Sequence, residues 1–79
     1  MPAYLSVTLH NDMHQIQWFT VVDNVSNKTV LDDNLDDDET RTVKIAAGVT
    51  GEGDISYTPR GTITVRKFGI DDGDTVDMN

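Results

Sequence analysis

QIQWFTVVD, residues 15 to 23, is the stretch whose reading decides the fold. Ile16, Trp18 and Val22 share one parity with Thr20, while Phe19 and Val21 share the other. Aromatic and β-branched residues at this spacing predict a strand, because successive side chains of an extended backbone point to opposite sides. Apolar content on both faces predicts a central strand, or one whose second face meets a partner. Trp18 is expected to anchor the core through its large apolar area. The alternative is an exposed recognition residue, since tryptophan is rarely buried completely. On that alternative Trp18, Phe19 and Val21 are the candidate interaction residues.

The same period extends in both directions. AYLSVTLH, residues 3 to 10, sets Leu5, Val7 and Leu9 against Tyr4, Ser6, Thr8 and His10, and Asn11-Asp12 signals a turn. After a turn at NVSNK, a short strand is expected to end at Leu31, followed by an acidic loop over 32 to 39. TRTVKIA, residues 40 to 46, places Val43 and Ile45 inward, and the glycines of GVTGEGD interrupt the pattern. DISYT and TITVRKF form a hairpin candidate about Pro59-Arg60-Gly61, with Ile55, Tyr57, Ile63 and Val65 inward. A last loop around Asp71 to Asp74 precedes a short strand carrying Val76 and Met78.

Helical periodicity is almost absent. The pattern predicts an all-β chain, a small two-sheet β-sandwich of six to seven short strands, with a compact β-barrel as the alternative. Residues 1 to 79 read as one domain, near the lower size limit for a self-sufficient core. If successive strands run in opposite directions, the first, third and fifth connections share one end. The other three share the opposite end.

Fourteen acidic residues against six basic ones give a net charge of −8. That opposes binding to a nucleic-acid backbone or to anionic lipid, and leaves a cationic partner or plain solubility open. The absence of cysteine excludes disulfides, thiolate metal sites and a cysteine nucleophile. MPAYLSVTLHND shows no secretory pattern, so a chain complete at this end is expected in the cytoplasm. The triplets Asn24-Val25-Ser26 and Asn27-Lys28-Thr29 match glycosylation acceptors, a pattern that arises easily in such loops.

The negative charge gathers in two groups. Asp32, Asp33, Asp36, Asp37, Asp38 and Glu39 form one. Glu52, Asp54, Asp71, Asp72, Asp74 and Asp77 form the other, leaving Asp12 and Asp23 among all six basic residues. Crowded carboxylates repel, and a hard cation relieves that repulsion by oxygen coordination. Ca2+ is therefore the alternative to having no cofactor. Glu52, Asp54, Asp71, Asp72 and Asp74, drawn from two loops, are the better candidate site, and the 32 to 39 group is the second. Neither is an EF-hand: counting from Asp32, glycine is missing at the sixth position and glutamate at the twelfth.

Other chemistry is thinly supported. His10 and His14, with Asp12, could approach across a turn as transition-metal ligands, although their spacing is nonspecific. Serines 6, 26 and 56 sit in no nucleophile motif, and GVTGEGD lacks the order of a phosphate loop. Arg66 and Lys67 alternate in parity and form no flat basic patch. The sequence therefore predicts a non-enzymatic structural or protein-interaction module, self-association included. The alternative is a calcium-stabilised module for a carbohydrate or a cationic surface. Expected partners are a second copy or another protein, not nucleic acid or membrane.

Overall fold

The computed structural model describes residues 4–79 and is an all-β sandwich of two sheets, with no closed barrel. Seven strands follow in chain order: β1 (Tyr4–Asn11), β2 (Gln17–Asp23), β3 (Lys28–Leu35), β4 (Thr40–Ala46), β5 (Gly53–Pro59), β6 (Val65–Ile70) and β7 (Thr75–Met78). One sheet has the order β4-β1-β7 and the other β3-β2-β5-β6. All neighbours are antiparallel except β1 and β7, which run parallel. Among the described residues no helix is long and apolar enough to cross a membrane.

Alternation explains the core. Leu5, Val7 and Leu9 of β1 face Phe19, Val21, Leu31, Leu35, Ile55 and Tyr57 of the other sheet, joined by Ile45, Ile70, Val76 and Met78. Each such side chain contributes roughly 1.5–3 kcal/mol when fully buried. Phe19 and Val21 are completely buried, so they belong to this core and offer no surface to a partner. Their inward parity turns Trp18, Thr20 and Val22 outward. Trp18 is accordingly half-buried on the outer face, and the expectation that it anchors the core is corrected.

Two further expectations change. β3 does not stop at Leu31 but continues through the acidic residues to Leu35, pairing Gln17 with Leu35 and Thr20 with Asp32. It is an edge strand, where charged side chains still reach water, and Leu35 at its end is fully buried. Ile63, expected inward beside Val65, is 79% exposed. The β5–β6 ladder closes at Tyr57 and Val65, so Ile63 lies beyond the pairing, where no opposing sheet covers it. The turn itself places Pro59 first, with Thr62 N–H donating to Pro59 O at 3.0 Å. Gly61 occupies the position at φ 84°, which glycine accepts without steric cost.

Candidate functional site

Buried polar groups identify what must be fixed at each end. Asn11, fully buried, donates through Nδ2 to the carbonyls of Gln15, Leu35 and Asp36 at 2.9–3.0 Å. Its Oδ1 accepts from Met13 N–H. This one amide ties the β1–β2 and β3–β4 connections together, the end-sharing that strand parity predicts. At the opposite end buried Asp23 accepts from the N–H groups of Val25 and Ala46 and from the Ser26 hydroxyl. These two clamps were not picked out in the sequence as functional residues. The legible signal was local: Asn11 and Asp23 each open a turn and accept from the N–H two residues on, Met13 and Val25 respectively.

The acidic residues are dispersed into separate bonds. Asp32 accepts from Trp18 Nε1 at 2.7 Å and from the Thr20 hydroxyl at 3.1 Å. Arg60 lies 4.7 Å above the Trp18 ring, a cation–π contact on the outer face. Asp33 and Glu39 each lie 3.5 Å from Arg41, whereas Glu39 Oε1 also accepts from Asp36 N–H. Asp37 sits exposed in the β3–β4 turn. Asp38 instead reaches across to His10.

Of the second group, Asp54 is engaged by Arg66 through both Nε and Nη2, at 3.0 and 2.6 Å, and by Asn24 at 2.9 Å. The Arg66 guanidinium, and then the Asn24 amide, hold the Asp54 carboxyl below its ordinary pKa of 3.8. The β6–β7 connection starts beside Glu52 and Asp54, since Ile70 is paired with Gly53, and then bonds to β1. Asp72 Oδ1 accepts from Ser6 N–H at 2.7 Å, and Asp74 Oδ2 from Asp71 N–H at 2.9 Å. Among the described residues no three His, Asp or Glu side chains are arranged to hold a metal ion. The carboxylates near this end are instead taken up one by one: Asp54 by Arg66 and Asn24, Asp72 by the Ser6 N–H and Asp74 by the Asp71 N–H.

Both ring nitrogens of His10 are engaged by carboxylates, and among the described residues His10, Asp12 and His14 form no three-ligand metal set. His10 Nδ1 bonds Asp77 at 2.8 Å, and Nε2 bonds Asp38, so the ring links β1, β7 and the β3–β4 turn. Asp38 first, and then Asp77, raise the His10 pKa above 6.5 by stabilising the imidazolium.

A different surface remains open. The sandwich is aligned at β3 and β4, where Asp33 meets Arg41, so the four-stranded sheet extends past the three-stranded one on the other side. There β6 exposes Arg66, Lys67, Phe68 and Gly69 in succession. Phe68 is 74% exposed, with Arg66 5.5 Å over its ring. A shallow hollow of about 410 Å³ separates β6 from β7, lined by Lys67, Phe68, Ile70, Asp74, Val76 and Asp77 among others. A second, of about 280 Å³, lies on the other side of Phe68 against Val25 and Val49. Comparison with family models, with curated proteins and with solved structures returned no match for this chain.

Proposed function

We propose that this domain is a non-catalytic protein-interaction module whose partner docks on the open side of the sandwich, against β6 and β7. One observation carries the proposal. β6 is an edge strand whose central residues face solvent, and exposed Phe68 stands between two hollows beside exposed Val49. Aromatic side chains presented at a hollow are the usual anchors of protein interfaces. The non-catalytic part is supported by how the titratable side chains are used. His10, Asp23, Asp32 and Asp54 are each bonded to neighbouring strands or turns. That arrangement holds the fold in place.

The test is photo-crosslinking from a photo-reactive phenylalanine in place of Phe68, with the same group at Thr29 on the far edge as comparison. Adducts formed at 68 and not at 29 are expected. Equal labelling at both positions, or none at 68, would overturn the docking side. An adduct of twice the chain mass would identify the partner as a second copy of this protein.

A further inference from the structure

We propose that the occupant of this open side is an extended, positively charged segment of a partner protein, which pairs with β7 as a fourth strand of the smaller sheet. The inference rests on the open-side reading above and adds the chemistry of the partner.

The backbone of β7 supplies the first argument. β7 ends its sheet, so among the described residues its outer edge has no strand neighbour. The carbonyls of Asp74 and Met78 accept from Thr8 N–H and Asp12 N–H of the β1 side, both at 2.9 Å. Since successive peptide groups alternate along a strand, Thr75 and Asp77 direct their N–H and C=O away from β1. Those groups match the pairing edge of an added strand, the first of the known modes of peptide recognition. The step between the two sheets also leaves room for it. A strand beside β7 would lie beneath β6 and close the 410 Å³ hollow.

Charge selects the occupant. Asp71, Asp72, Asp74 and Asp77 all lie on β7 or the turn leading into it. Val76 and Met78 point inward and are buried, which places Thr75 and Asp77 on the outer face. Alternate side chains of an added strand would therefore stand beside Asp77, where lysine or arginine is favoured. The intervening ones would face Ile70, Val76 and the stem of Lys67, where an uncharged side chain is favoured over a second cation. A second copy fits less well. Antiparallel β7-to-β7 pairing would oppose two copies of the same acidic strand, on chains each carrying −8.

The experiment uses the full chain, labelled with ¹⁵N, titrated with a synthetic peptide alternating lysine with valine. A second peptide of the same sequence is N-methylated on its pairing edge. Expected are amide shifts confined to β7 and the facing part of β6, and about tenfold weaker binding of the methylated peptide. Binding should also weaken between 50 and 300 mM salt. Thr75→Pro removes one outward donor while leaving the β1 side of β7 intact, and it should weaken the unmethylated peptide alone. Equal affinity of the two peptides, with shifts on β6 and β7, would overturn strand addition and leave the docking side standing. Shifts centred on β3 or β4 would overturn both readings. No binding at millimolar peptide would overturn the basic strand as occupant.

Discussion

Single residues here do their work by geometry that alternation cannot specify. His10 is outward by parity, yet only the folded chain brings Asp38 and Asp77 to its two ring nitrogens. Because its folded pKa lies above the unfolded 6.5, the stabilisation is fully present below pH 6.5 and lost as pH rises through the higher folded value. An NMR titration should place the His10 midpoint above 6.5 in the native chain and lower in Asp38→Asn. His10→Gln should flatten the loss of thermal stability above that pH. A midpoint unmoved by Asp38→Asn would show that the contact is not felt in solution. Gly53 gives a second case. A Cβ there would overlap Ile45 Cδ1 and lie 3.3 Å from Leu5 Cδ1. Gly53→Ala should cost about 1–3 kcal/mol through overpacking. Ile45→Val removes the overlapped atom, so the double variant should be more stable than the sum of the single costs by about 1 kcal/mol. Urea unfolding of the four chains checks it, and additive costs would count against this packing.

At the scale of elements, strand existence was legible and strand ends were not. Leu5, Val7, Leu9, Ile55 and Tyr57 declare their strands because every second residue is apolar and each is buried. β3 hides its second half behind charge. Asp32, Asp33 and Asn34 resemble a wet loop, and lone Leu35 carries the inward signal. Leu35→Ala should therefore destabilise by about 2–5 kcal/mol, whereas Asp33→Ala, losing a long exposed ion pair and an exposed bond from the adjacent Asn34 N–H, should stay within about 0.5 kcal/mol. Similar small effects from both in chemical denaturation would return residues 32 to 35 to loop. The reverse error concerns Ile63, whose spacing from Val65 matched a strand that in fact begins at Val65. Period two says which residues share a face, but not where pairing ceases.

For the whole molecule, the dominant long-range term is self-repulsion. A charge of −8 on a body 37 × 20 × 17 Å leaves many carboxylates within about 10 Å, the screening length at 0.1 M salt. Sodium chloride should raise Tm, by about 4–8 °C for each kcal/mol of repulsion relieved. Since the carboxylates are dispersed among Arg66, Arg41, His10 and backbone donors, calcium and magnesium at matched ionic strength should act alike. A saturable rise with calcium alone would reinstate the calcium-stabilised alternative.

The sequence by itself determined the class of fold, the inward rows of β1, β2 and β5, and the sharing of chain ends by alternate turns. All of these follow from local alternation and strand direction. Only the tertiary structure decided that β7 takes its place beside β1, which bonds Asp72 to the Ser6 N–H and Asp77 to His10. It alone decided that Trp18 faces outward to Asp32 and Arg60, and that the smaller sheet stops one strand short of β6. Those features depend on which strands become neighbours, a choice governed by non-local pairing and packing that no short window of residues contains.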